Sequence, residues 1–368
     1  MWSCVGKTCA VGADSWVLDV QPLVGGGGGV VCVNSGSGDR QISLHDGSSL
    51  ACVWRCAPHS SSSVCSDVQS VHSSLLVSCA RDGTVALLDP RLRSAAALLR
   101  CPRPCSAVAA LSGSGSGALL VAAACGSDVA LLDTRTLRLL AALDGGHAQD
   151  EEIAALRCCP ANVNNNNNNN SNNNNNNSVL LASGGTDGLV ALWRLDLSSS
   201  PSSWTADDCL EEVLNEEAAV SRLDWRSSSD ASSSSSLLFV SSLQQSSLWL
   251  DGFRQWALPT ASAYLPLGPA LPGRCAFAHR DGAVALLPPP GAPDQTQLWL
   301  LGGHAGAACR GLACLSPDLL VSGGEDGQLC AWRPGGSANF VGEEEDSRPP
   351  RSVGSFGFAG AKDRFKFG

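Results

Sequence analysis

Short apolar runs and tight polar turns alternate along most of this chain in a fixed register. Runs opening at Leu75, Leu119, Leu180, Leu237 and Leu319 reach a turn seven residues later, at Asp82, Gly126, Asp187, Gln244 and Asp326. Six residues further on each returns to an end position, at Leu88, Leu132, Trp193, Leu250 and Trp332. Asp39 with His45, and Asp281 with Leu287, keep that last offset. Each unit reads as an apolar strand, an Asp-Gly-type turn and a Val/Leu-rich strand, which is the grammar of a β-hairpin.

The end positions are thus 45, 88, 132, 193, 250, 287 and 332, spaced 37 to 61 residues apart. Repeats of about 40–45 residues with this pattern signal four-stranded propeller blades. The fold expected is all-β: a single seven-bladed propeller over residues 1–336. A strand at Val5–Ala10 is expected to complete the outer edge of the seventh blade. The wide spacings come from insertions: an asparagine-rich tract at 162–178, a serine-rich one at 227–236, "SGSGSG" at 112–117 and "GGGGG" at Gly25–Gly29. All four fall between the first and second strands of a unit, so all should emerge on one face. Such polar tracts bury too little apolar surface to order themselves. The opposite face, with its short Asp-Gly loops and the channel mouth, is the better candidate for a binding surface. Residues 337–368 carry an acidic cluster, then Gly/Phe and Lys/Arg, and read as a disordered tail.

Two sentences of the chain, "LLASGGTDGLVALW" and "LLVSGGEDGQLCAW", repeat serine, aspartate and tryptophan in one register. With "RQISLHDG", "EEAAVSRLDW" and "GGHAGAACRGLACLSPDLLVSGGEDGQLCAWRPGG", they resemble the WD-repeat family. The resemblance implies a structural His–Ser–Asp–Trp hydrogen-bond set in the better blades. Carried over, the sets are His147, Ser183, Asp187 and Trp193 in blade four, and His304, Ser322, Asp326 and Trp332 in blade seven. Leucine replaces the tryptophan in blades two and six, and blade three lacks the turn aspartate. The resemblance brings no catalytic residue with it.

Charge and composition narrow the function. A net charge of −10 without a basic, aromatic-interleaved patch argues against nucleic-acid binding. No apolar run approaches the length of a membrane span, and the N-terminus lacks the apolar core of a signal peptide. A cytoplasmic or nuclear location is therefore expected, with the 17 cysteines reduced and acting as small buried hydrophobes. Their spacings include "CVWRC" and "CPRPC" but no C-x-x-C, which argues against a metal site. "GKT" at Gly6–Thr8 fails as a phosphate loop, because the leading glycine would fall on Met1. His59, His72 and His279 have no carboxylate or cysteine partner nearby in sequence. No enzyme and no cofactor are expected.

One constellation remains. Asp89–Arg91 and Asp133–Arg135 repeat D-x-R at the same point of neighbouring units. Within the WD-repeat family such pairs resemble the motif by which substrate receptors of cullin–RING ubiquitin ligases present arginine forks to an adaptor. The plainer reading is an aspartate ending a strand with a surface arginine after it. The sequence therefore predicts a non-catalytic scaffold that binds extended peptides or protein edges at its faces. A ligase receptor is the first alternative, and an enzyme the second.

Overall fold

The computed structural model describes residues 2–335, apart from 11–14, 24–29, 36–39, 73–74, 93, 112–119, 160–177, 201–202, 228–235, 243–244, 251–252, 260–262, 266–273, 279–280, 289–297 and 305. The chain divides into two units, residues 1–336 and 337–368, and the second, where the tail is expected, lies outside the described residues. The glycine run, "SGSGSG", the asparagine tract up to residue 177 and residues 228–235 of the serine tract also lie outside them, as do Asp39, Gln244 and His279.

The described residues are almost all strand, in seven four-stranded antiparallel sheets. The first strand, β1 (Trp2–Cys9), belongs to the last sheet. The first sheet holds β2 (Val17–Pro22), β3 (Val30–Ser35), β4 (Ile42–Asp46) and β5 (Cys52–Cys56). The second holds β6 (Cys65–His72), β7 (Leu75–Ala80), β8 (Thr84–Leu88) and β9 (Ala95–Arg100). The third holds β10 (Cys105–Leu111), β11 (Leu120–Cys125), β12 (Asp128–Asp133) and β13 (Arg138–Leu143). In the fourth are β14 (Ile153–Cys158), β15 (Ser178–Gly185), β16 (Leu189–Asp196) and β17 (Leu210–Asn215), with a one-turn helix, α1 (Ala206–Cys209), before the last. The fifth comprises β18 (Val220–Ser227), β19 (Ser236–Ser242), β20 (Gln245–Leu250) and β21 (Phe253–Pro259). The sixth has the shortest strands: β22 (Ala263–Leu265), β23 (Cys275–Ala278), β24 (Val284–Leu287) and β25 (Leu298–Leu300). The seventh joins β26 (Cys309–Ser316), β27 (Leu319–Gly324) and β28 (Gln328–Pro334) to β1, which runs antiparallel to β28 from Trp2↔Pro334 to Cys9↔Gln328.

The middle strands read as unbroken apolar runs because both their faces are covered. β8 is buried at all five positions, whereas β9 alternates buried and exposed as an outer strand should. In the third sheet Ala122, Ala124 and Leu131 pack with Ile153, Leu181 and Trp193 of the fourth. Their neighbours Val121, Ala123 and Leu132 point the other way, against Val77, Val85 and Leu99 of the second. Similar apolar clusters lie between each other consecutive pair of sheets, and between the seventh and the first. Each buried Leu or Val contributes about 1.5–3 kcal/mol, and small alanines let the sheets approach closely.

The first strands carry charge. Asp67 on β6 accepts from the Val108 amide of β10 at 3.1 Å and from Arg157 Nη1 of β14 at 2.9 Å, so one carboxylate ties three sheets. Arg222 on β18 lies 3.7 Å from Asp19 of β2 and donates to the Arg310 carbonyl of β26 at 2.9 Å. Burial pushes the Asp67 carboxyl above its ordinary pKa, with the Arg157 guanidinium opposing. Burial likewise works against the Arg157 charge, but the carboxylates of Asp67 and Asp19 outweigh it and raise its pKa. The two pairs are one network.

The register in the fifth sheet differs by one residue from the sequence expectation. Leu238 pairs with Trp249, as Leu181 pairs with Trp193 and Leu320 with Trp332. The β19–β20 turn is one residue shorter than the β15–β16 turn, so Trp249, not Leu250, takes the end position. Ser178 opens β15, and Ser227 and Ser236 belong to β18 and β19, so the serine tract begins and ends inside strands and the asparagine tract ends inside one. Among the described residues no helix is long and apolar enough to cross a membrane.

Removing one member of the Asp67–Arg157 pair leaves the other buried and uncompensated. Arg157→Met is expected to destabilise by roughly 3–5 kcal/mol in urea unfolding. Adding Asp67→Asn should recover part of that loss, because the amide oxygen still accepts from Val108 without a charge. Additive losses in the two single variants would count against the pairing.

Candidate interaction face

In each sheet the register places the end of the first strand and the start of the second at one end, with the third–fourth connection of the first six sheets, and the second–third turn at the other. Both D-x-R pairs lie at the first end. The Asp-Gly turns lie at the second, and there the structure gathers its polar side chains.

In the fourth sheet Trp193 Nε1 donates to Ser183 Oγ at 2.9 Å. Ser183 Oγ lies 2.9 Å from His147 Nε2, and His147 Nδ1 is 3.2 Å from both oxygens of Asp187. The seventh sheet repeats the set with Trp332, Ser322, His304 and Asp326 at 2.8, 2.8 and 2.9 Å. The imidazole proton then sits on Nδ1, facing the carboxylate, and each hydroxyl donates to Nε2 while it accepts from the indole. Burial lowers the His304 pKa, with Asp326 opposing, so the ring is held neutral. Each aspartate also caps its own turn, Asp187 Oδ1 accepting from the Leu189 amide at 3.0 Å. Glycines make the room. A Cβ at Gly146 would stand 2.3 Å from the Trp193 ring, and one at Gly303 would meet Trp332 at the same distance.

Three further polar sets appear where sequence spacing showed none. In the second sheet His59 lies 3.0 Å from Ser78 Oγ and 2.7 Å from Thr84 Oγ1, and Thr84 donates to Asp82 at 2.5 Å. A threonine bridges imidazole and carboxylate there, and Leu88 stands in the tryptophan position. Burial would raise the Asp82 pKa, but the Thr84 hydroxyl and the Ser60 and Thr84 amides bring it down to about 2. In the first sheet His45 itself fills the end position, between Ser43 Oγ and the Leu50 carbonyl, both at 3.0 Å. In the fifth sheet Trp249 Nε1 donates to Ser247 Oγ at 2.8 Å and to Glu216 Oε2 at 3.0 Å. Glu216 is fully buried, its Oε1 has no hydrogen-bond partner, and burial raises its pKa. Ser78 and Asp82 keep the offset of Ser183 and Asp187, which is the one signal that could have found the second-sheet set.

A cavity of about 520 Å³ opens at this same end, where the first strands of four sheets begin. Its lining includes Leu18, Ser62, Val64, Ser106 and Ala154, with Arg81 and Glu152. Arg81 Nη1 lies 2.8 Å from Glu152 Oε1, across the intervening third sheet, with both side chains solvent-accessible. Ser106 Oγ donates to the Ile153 carbonyl at 2.5 Å, and Ser63 Oγ accepts from the Asp82 amide at 3.1 Å. These two hydroxyls hold backbone, and no histidine lies in the lining to activate them. The chemistry offered is hydrogen bonding and one exchangeable ion pair.

At the opposite end Asp89 grips Arg91 through Nε at 2.8 Å and Nη2 at 2.5 Å, leaving the guanidinium 76% exposed. Both aspartates accept from the amide of their arginine, at 2.9 Å for Asp89 and 2.8 Å for Asp133, but Asp133 takes the Thr136 hydroxyl at 2.7 Å where Asp89 takes the arginine side chain. The two D-x-R pairs share the backbone bond and differ in how the guanidinium is anchored. No protein-family model matches this chain, and no curated protein matches it.

Two measurements test the polar sets. Ser183→Ala strips a partner from both the indole and the imidazole, and is expected to cost roughly 2–6 kcal/mol at about 1–3 per stranded group. Ser78→Ala strands only His59 and should cost about half as much. Glu216 tests the opposite sign, because its raised folded pKa makes ionisation above the unfolded value a cost. Glu216→Gln keeps the acceptor and removes the charge, so it should raise the urea midpoint at pH 7 and leave it nearly unchanged at pH 4.

Proposed function

We propose that the seven sheets are the blades of a closed WD-repeat propeller, a non-catalytic platform for protein partners in a cytoplasmic or nuclear complex. One observation carries this reading: the cavity at the turn end presents serines and an accessible Arg81–Glu152 pair. An exposed ion pair contributes less than about 1 kcal/mol. A guest carboxylate can therefore take Arg81, or a guest ammonium Glu152, at little cost. An extended peptide lying across the mouth would meet both, with the serines addressing its backbone. The fixed turns around the cavity hold these groups in place before binding, which lowers the ordering cost.

The ligase-receptor reading places its contact at the other end, on Arg91 and Arg135. Their unlike anchoring favours the plain scaffold, because an adaptor that reads two forks needs both presented alike.

Quantitative affinity purification separates the two. The chain is compared with an Arg81→Ala/Glu152→Ala variant and an Arg91→Ala/Arg135→Ala variant, each confirmed folded by its melting profile. The scaffold reading expects specific partners to fall away in the first variant and persist in the second. Loss of a cullin–RING adaptor in the second variant alone would move the function to the D-x-R end. An unchanged partner set in the first variant would remove the cavity from consideration.

A further inference from the structure

The third sheet has none of the polar sets found in its neighbours. Its registers place Ala123 where the fourth sheet has Ser183, and Leu132 where it has Trp193. Gly126 stands in the turn, in place of an aspartate. What it has instead is sulfur. The Sγ atoms of Cys101, Cys105 and Cys125 all lie within 4.8 Å of one another, and Cys105 and Cys125 are 3.6 Å apart.

The position of this group is informative. Cys105 pairs with Cys125 on the first rung of its ladder, as Ile153 pairs with Gly185 in the fourth sheet and Cys309 with Gly324 in the seventh. At Gly185 an added Cβ would stand 2.3 Å from Asp187 Oδ1 and 2.5 Å from His147 Nδ1. The space that holds imidazole and carboxylate in the fourth sheet is therefore where the third sheet carries the Cys125 side chain. Cys101 comes from the connection leading into the sheet, as His147 does. Three soft ligands have taken the place of a hard polar set.

The group is also preorganised. Cys101 and Cys105 flank Pro102 and Pro104, whose rings fix two backbone torsions of the short connection. The Cys101 amide donates to the Gly83 carbonyl at 2.8 Å, which pins the connection to the neighbouring turn. Cys125 sits in the rigid β11–β12 hairpin. Cys105 and Cys125 are fully buried, while Cys101 is half-buried and gives access from solvent.

We propose that Cys101, Cys105 and Cys125 form a binding site for one thiophilic monovalent cation, copper(I), held by three thiolates. Three sulfurs at about 2.3 Å from a central ion lie about 4.0 Å apart in a trigonal plane, close to the separations found here. Among the described residues no fourth Cys, His, Asp or Glu completes the group, which suits a trigonal ion better than a closed tetrahedral zinc site. Binding replaces the S–H protons of the three thiols, which leave to solvent as the thiolates take the ion; no electron is transferred.

The test uses the full chain, kept anaerobic with glutathione and titrated with copper(I) against a chromophoric copper(I) chelator. One equivalent should be retained, with protons released on binding at pH 7. Cys101→Ser, at the accessible edge, is read first because the buried positions are the ones whose replacement could impair folding. It should weaken retention by about 100-fold or more with an unchanged melting profile. A Cys9→Ser/Cys52→Ser variant, lacking two exposed thiols, and a Cys4→Ser variant should retain copper(I) as the parent does. Retention undiminished in Cys101→Ser would overturn the site. So would zinc(II) displacing copper(I) from the parent, which would require a fourth ligand and tetrahedral geometry.

Discussion

A sheet covered on both faces has no solvent to which a polar side chain can turn, and this constraint shapes the whole structure. Every hydroxyl, imidazole or carboxylate admitted between two sheets must meet its partner there, since a stranded group costs about 1–3 kcal/mol. The sheets answer in different ways. The fourth and seventh use a four-membered relay from indole to carboxylate. The second inserts Thr84 as a bridge, the first places His45 itself in the end position, and the fifth sends Glu216 inward from the preceding connection. The third carries a group of thiols in the place of the relay, and these tolerate an apolar setting better than an amide or acid does. One constraint thus yields several local solutions.

What could be read in the sequence follows from the same cause. The hairpins were legible because buried middle strands are apolar throughout and their turns need Asp and Gly. The relays in the fourth and seventh sheets were legible because all members keep one register. Other features depend on contacts that no linear offset records. His59 reaches Asp82 only through Thr84. Trp249 escaped notice because its turn is one residue shorter, which shifted the expected end position to Leu250. The cysteine group was hidden for a related reason: two of its members are four residues apart in a connection, and the third comes from the facing strand. Spacing rules presume local pairs, and here a strand ladder brings in the third cysteine from elsewhere.

The two ends of the sheets have been put to different uses. At the end where first strands stop and second strands start, the connecting sequence grows long and simple. At the other end the buried relays stiffen the turns, and the cavity rim inherits that stiffness. The Asp67–Arg157 and Asp19–Arg222 pairs work between these ends, linking first strands from sheets that are not neighbours. They make displacement of one sheet felt by others.

The seventh sheet takes its outer strand from the opposite end of the described chain, Trp2 lying opposite Pro334. During synthesis β1 leaves the ribosome first and has no partner until β28 follows it. Throughout that interval both β1 and the open flank of the first sheet present unpaired edges and apolar surface to the cell. Completion of the seventh sheet is therefore a late event of long sequence separation, slow by the entropy of closing so large a loop. A nascent chain of this kind has reason to be shielded while it is made, and its vulnerability lies in the waiting strand rather than in the finished fold.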